Sequence, residues 1–163
     1  MAYSEMNAGI SSDEVVKKYI DMVYRLALSR TGSREHAEDV VQDVFLKYFQ
    51  SNKVFESEEH IKAWLIRVTI NCSKKIFAGS WFKKTVPLTE DLSFETQEQS
   101  DVYYAVNELP KKYRTVIYLY YYEKLSVKEI AEDMSLSEGT VKSQLYRGRE
   151  LLKEKLKGGE ALV

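Results

Sequence analysis

Apolar positions recur at three- and four-residue intervals along almost the whole chain, and the segments that carry them predict helices. Residues 13–31 place Val15, Tyr19, Met22 and Leu26 on one stripe and Val16, Ile20, Val23 and Ala27 beside it, with Gly32 as the stop. Ser33 then caps a second helix whose apolar members are Ala37, Val40, Val41, Val44, Phe45 and Tyr48. Its acidic and amide residues Glu35, Glu38, Asp39, Gln42 and Asp43 gather toward the other side, near the positive end of the helix dipole. After the loop SNKVFESEE, Ser57 caps a third helix with Ile61, Trp64, Leu65, Val68 and Cys72 as its buried stripe, and Trp64 is assigned to the core. Lys62, Arg67, Lys74 and Lys75 make that helix basic, and Gly79 and Ser80 interrupt it before the cluster WFKK.

Residues 85–100 show little periodicity and are mostly polar or acidic, which predicts a flexible linker. The expected fold is therefore all-α: two small helical domains, over residues 1–84 and 101–163, joined by that linker. The second domain opens with a helix near residues 101–108. Pro110 starts another, with Tyr113, Val116, Ile117, Tyr120 and Tyr121 as its apolar face. The run of aromatics over residues 118–122 could stack on bases, but its helical spacing favours packing.

Residues 126–155, SVKEIAEDMSLSEGTVKSQLYRGRELLKEK, predict a short helix, a tight turn and a second, basic helix. Ser126 and Glu129 form a capping box with Leu125 and Ile130 spaced as a hydrophobic staple; Ser137 repeats the cap with Leu136 and Val141. Ala131 lets the helices approach. On the second helix Val141, Leu145, Gly148 and Leu152 share one stripe, with Gly148 permitting close backbone contact. Lys142, Ser143, Tyr146, Arg147, Arg149 and Lys153 project elsewhere, a set suited to phosphates and to base edges in a major groove. The plainer alternative is a solvated, salt-bridged helix closing a bundle. Two caps, Ala131 and a one-sided basic face coincide only by accident under that alternative.

The formal net charge of -1 conceals segregation. Residues 58–84 carry 6 basic and 2 acidic side chains, residues 88–108 carry 0 and 6, and residues 111–157 carry 11 and 7. Two basic blocks flanking an acidic connector suit a chain that touches nucleic acid at two places. There is no apolar run of about 18 residues. The beginning MAYSEMNAGISSDE lacks a basic-then-apolar export signal, so a cytoplasmic location is expected. Cys72 is the single cysteine, which excludes an intramolecular disulfide and makes a zinc site with His36 and His60 poor. No metal, cofactor or small-molecule substrate is expected, and no enzyme constellation stands out.

Taken together, these residues resemble the small, extracytoplasmic-function sigma factors of bacteria, built from the second and fourth sigma regions and a linker. The segment AEDVVQDVF, residues 37–45, is similar to the family's grip on the clamp helices of the RNA polymerase beta-prime subunit. HIKAWLIRVTIN, residues 60–71, is similar to its promoter-melting segment, and residues 109–152 to its fourth region. The resemblance implies that Asp39, Gln42 and Asp43 face polymerase. It implies that Asn71, Lys74 and Lys75 lie along the minus-ten element, and that the loop of Phe55, Glu56 and Ser57 receives a base flipped from the non-template strand. Lys142, Ser143, Tyr146, Arg147 and Arg149 would read the minus-thirty-five element. The implied partners are core RNA polymerase, promoter DNA both duplex and melted, and an anti-sigma factor, in many members a membrane protein.

Two departures from the family pattern stand out. The melting helix continues as NCSKKIFAGSWFKK where an aspartate and several arginines are frequent, and Ser135 takes a turn position where Gly is common. Two other classes fit parts of the chain: a conventional helix-turn-helix regulator with an N-terminal dimerisation or sensing domain, and a scaffold that uses the helices for protein contacts alone. The basic third helix argues against the first, and exposed Lys142, Arg147 and Arg149 against the second.

Overall fold

The computed structural model describes residues 6–77 and 97–158. It divides into two compact units, Met1–Thr85 and Val86–Val163. The acidic connector, Gly79, Ser80 and the WFKK cluster lie outside the described residues, except that positions 97–100, read as linker, begin a helix.

Unit one starts with a hairpin that helical periodicity does not reveal: β1 (Met6–Asn7) pairs antiparallel with β2 (Ile10–Ser11), Asn7 opposite Ile10. Ala8 and Gly9 take φ of 56° and 77°, the left-handed pair of a two-residue turn whose twist matches paired strands. Ser11 then caps α1 (Ser12–Thr31) in a full capping box with Glu14, and Gly32 ends it with φ 69°, its N–H donating to the Leu28 carbonyl. Ser33 caps α2 (Arg34–Gln50) as expected. Ser57 caps α3 (Glu58–Phe77), its hydroxyl accepting the His60 N–H at 3.1 Å.

The three helices pack on one another around Val15, Val23, Leu26, Val44, Leu65 and Ile66. Because α3 faces both α1 and α2, its buried arc is wider than one stripe and rotated from the expected one. Ile66, Thr69, Ile70 and Ser73 join Ile61, Leu65 and Cys72 inside, whereas Trp64 and Val68 remain partly exposed at its edge. Thr69 and Ser73 enter the core by returning their hydroxyls to the carbonyls of Leu65 and Thr69, at 2.6 and 2.7 Å.

Unit two consists of α4 (Gln97–Asn107), α5 (Lys111–Tyr121), α6 (Val127–Met134) and α7 (Glu138–Gly158). Pro110 precedes α5 as expected. Helix α5 touches α4, α6 and α7, so every residue over 114–119 is buried; Tyr118 and Leu119 are core members, while Tyr121, expected on the apolar face, is exposed. Ser126 and Glu129 form the predicted capping box of α6. Ser135 closes that helix in the left-handed conformation, φ 58° and ψ 46°, and the Leu136 N–H returns to the Ala131 carbonyl at 2.9 Å. No helix among the described residues is long and apolar enough to cross a membrane.

Candidate nucleic-acid and protein interfaces

Ser137 caps helix α7, its hydroxyl accepting the Thr140 N–H at 3.1 Å. Val141, Leu145 and Gly148 are buried against α5 and α6, which turns the opposite side to solvent. Lys142, Ser143, Tyr146 and Arg147 stand together on that side, Tyr146 with 66% of its surface exposed. Ser143 and Arg147 also share an open, polar cleft of about 640 Å³ with Lys112 and Thr140, between the starts of α5 and α7. Lys112 was not singled out in sequence because it lies 35 positions before Arg147, and only the helix pairing brings the two cations to one cleft.

Arg149 departs from this group. Its Nε donates to the Tyr121 hydroxyl at 2.8 Å, and its guanidinium lies 6.0 and 5.9 Å from the Tyr120 and Tyr121 ring centres. Seven residues along a helix fall about 20° short of two full turns, which moves Arg149 from Lys142 toward the buried Leu145 row and onto α5. There it edges an apolar groove of about 550 Å³ between α4, α5 and α7, lined by Val102, Val106, Ile117, Leu152 and Leu156, with Lys153 and Lys157 alongside. The four-residue spacings of Val102 with Val106 and Leu152 with Leu156 were the available signal for it.

On unit one, Asp39 and Gln42 are exposed and Asp43 partly so. They line a cleft of about 370 Å³ with Leu46, Cys72 and Lys75. Lys75, expected along the DNA side with Asn71 and Lys74, thus borders the acidic set. Asn71 and Lys74 are exposed. Burial, then a hydrogen bond donated to the Asp43 carboxylate, pushes the Cys72 thiol up to about 11, so this sulfur is a buried donor under Asp43 and not a nucleophile. Leu46 and Phe49 continue the spacing of Asp39 and Gln42 and expose 53% and 54% of their surface, an apolar extension of the same face.

The loop between α2 and α3 differs from expectation at one residue. Phe55 is only 3% exposed, wedged among Tyr48, His60 and Trp64 with ring centres 5.0 to 5.8 Å away, so its ring anchors the loop and has no face for a base. Glu56 is exposed and Ser57 partly so. The exposed apolar residue is Val54, at 79%. Asn7 of the hairpin reaches across to this loop, its Nδ2 donating to the Lys53 carbonyl at 3.0 Å and its Oδ1 accepting the Phe55 N–H at 2.9 Å.

Comparison with known proteins places these surfaces in context. Residues 15–81 match the model for sigma-70 region 2, and residues 99–152 that for sigma-70 region 4. The chain is 29% identical to the ECF RNA polymerase sigma factor SigW of Bacillus subtilis (strain 168) across 88% of each chain. It is 32% identical to SigM, also an ECF RNA polymerase sigma factor of that strain, across 86% of this chain and 92% of SigM. The fold resembles that of the sigma factor RpoE from Bartonella quintana, solved with the anti-sigma factor NepR. That match has a TM-score of 0.70 and 23% identity, and covers 87% of this chain and 94% of RpoE.

Proposed function

The chain belongs to the ECF RNA polymerase sigma factors, transcription initiation factors that direct core RNA polymerase to promoters, and from that premise we propose how its two units divide the work. Unit one grips core polymerase through Asp39, Gln42 and Asp43. The exposed Leu46 and Phe49 extend that acidic face with apolar surface, the composition of a protein interface and not of a DNA contact. Asn71 and Lys74, with the loop of Val54, Glu56 and Ser57, meet the opened minus-ten strand. Unit two anchors duplex DNA at the minus-thirty-five element through Lys142, Ser143, Tyr146 and Arg147. Arg149, held on Tyr121, braces α7 against α5 and contacts phosphate at most from the side.

The observation that carries this reading is the exposed row of Lys142, Ser143, Tyr146 and Arg147 on the second helix of a doubly capped helix-turn-helix. Cations supply sequence-independent attraction to phosphate, and Arg supplies paired donors for a guanine edge. The chain acts as a dissociable subunit in the cytoplasm and performs no chemistry of its own. An anti-sigma factor is included among its proposed partners, as family membership implies.

Adding the purified chain to core polymerase and mapping transcript 5′ ends on genomic DNA tests the assignment. New, discrete start sites that core polymerase alone does not use are expected. Unchanged transcription, with the chain binding the same DNA free of polymerase, would instead make it a conventional regulator.

A further inference from the structure

Among the described residues, the exposed large apolar side chains are Ile20, Leu46, Phe49, Val54, Tyr121 and Tyr146, and Leu46 and Phe49 are the pair that shares a helix. With Asp39 and Asp43 they follow one another at three- and four-residue steps, so acid and carbon form a single row along α2. From Asp39 to Phe49 that row is about 15 Å long. The groove of unit two has the opposite character. Val102, Val106, Ile117 and Leu152 line it, Lys153 and Lys157 stand exposed at its rim with Arg149, and no carboxylate lines it among the described residues. Its length along α7, from Arg149 to Lys157, is about 12 Å. A volume of about 550 Å³ is that of a small-molecule pocket, room for a leucine and a phenylalanine side chain together.

We propose that two copies of the chain associate reciprocally, each laying the row from Asp39 to Phe49 of its α2 into the unit-two groove of the other. The contact is a helix in an apolar groove, with carboxylates meeting ammonium groups at the rim. The chain itself carries both halves of the match, so every copy offers a row and a groove. The charges fix the direction. Both pairs are spaced four residues apart, and α2 antiparallel to α7 sets Asp39 against Lys157 and Asp43 against Lys153. Leu46 and Phe49 then reach the end lined by Ile117 and Tyr121, and the two helix dipoles run opposed. Reciprocity closes the assembly at two copies with two identical contacts, and once the first contact forms the second is intramolecular. Burial removes from water the apolar surface that a single copy leaves exposed on α2. The association does not depend on how the chain engages polymerase. Its consequence rests on the reading of α2 as the polymerase grip: a chain in the dimer is masked, and core polymerase must displace the other copy.

The test is analytical sedimentation of the full chain and of two variants, Asp39→Lys and Lys157→Glu, both at exposed positions and both checked for helix content by circular dichroism. The unaltered chain is expected to pass from monomer to dimer with rising concentration and to stop there. Each variant alone sets like charges against each other in both contacts of its dimer, so its dissociation constant should rise about tenfold or more. Mixed in equal amounts, the two variants should dimerise nearly as tightly as the unaltered chain. The lysine introduced at position 39 of one copy then meets the glutamate introduced at position 157 of the other, and the second contact is native. A monomer at every concentration overturns the proposal. So does a dimer that neither variant weakens, and so do variants that stay monomeric when mixed. Adding core polymerase to the dimer should give complexes that hold one copy. Complexes that hold two would leave the self-association standing and overturn the assignment of α2 to polymerase.

Discussion

Gly148 lies so close to Ile117 that a β-carbon added to it would stand 3.0 Å from Ile117 Cγ1 and 3.3 Å from the Tyr113 β-carbon. This contact between α7 and α5 is what turns Lys142, Tyr146 and Arg147 outward. Gly148→Ala should therefore destabilise unit two. The alanine gains about 1 kcal/mol in helix propensity, but overpacking costs about 1–3 kcal/mol where Ile117 must give by a few tenths of an ångström and the Tyr113 β-carbon is fixed to backbone. Thermal unfolding is expected to show a lower midpoint for Gly148→Ala and a still lower one for Gly148→Val; a midpoint raised by the alanine would show that the seam can open.

Ser135 holds the turn of the helix-turn-helix in the left-handed region, where a residue with a β-carbon is strained. Ser135→Gly relieves that strain, partly offset by the freedom glycine brings to the unfolded chain. A net stabilisation of about 0.5 kcal/mol is expected in denaturant titrations, against a loss for the β-branched Ser135→Val.

The Cys72 thiol, raised to about 11 by burial and by its bond to Asp43, is almost entirely protonated at pH 8. A shift in this direction removes thiolate, the reactive form, so native protein at pH 8 should resist a thiol-disulfide reagent that labels it promptly in denaturant. Prompt labelling of the folded chain would contradict the buried placement of Cys72.

Arg147 and Lys153 are expected to separate base reading from charge. Arg147→Ala should weaken discrimination among upstream promoter sequences by roughly 1–3 kcal/mol, measured with the polymerase complex. Lys153→Ala should lower binding uniformly and reduce the salt dependence by about one phosphate contact. Equal effects of the two substitutions on selectivity would remove Arg147 from the reading face.

Much of this was legible in the sequence, because helix boundaries here are written in caps: Ser33, Ser57, Ser126 and Ser137 all cap where their side chains and spacing suggest. The capping box of Ser11 and Glu14 was equally legible, since a serine three residues ahead of a glutamate is its signature. Two-residue strands are too short to leave a periodic signal, which hid the hairpin. Burial was harder to read than helicity. Phe55, Trp64 and Tyr121 are aromatic in sequence alike, yet a loop wedge, a helix edge and an exposed arginine brace differ only in what packs over them. Leu46 and Phe49 lie outside the apolar stripe read for α2 and are exposed in the same row as Asp39 and Gln42. Arg149 shows the limit of treating positions seven apart as one stripe: the offset of about 20° is enough to carry a side chain from one face to a neighbouring helix.

The proposed division between polymerase grip, strand contact and duplex anchoring is tested most directly by counting abortive transcripts from one promoter. The template is either fully duplex or already opened around the minus-ten region, and the factor is the full chain carrying either Arg147→Ala or the pair Asp39→Lys and Asp43→Lys. Arg147→Ala should lose most activity on the duplex and retain it on the opened template. The paired charge reversal, in a variant first shown to be folded because Asp43 also accepts from the buried Cys72 thiol, should abolish activity on both through lost polymerase association. Equal loss on both templates for Arg147→Ala, or full activity for the charge-reversed protein, would contradict the division.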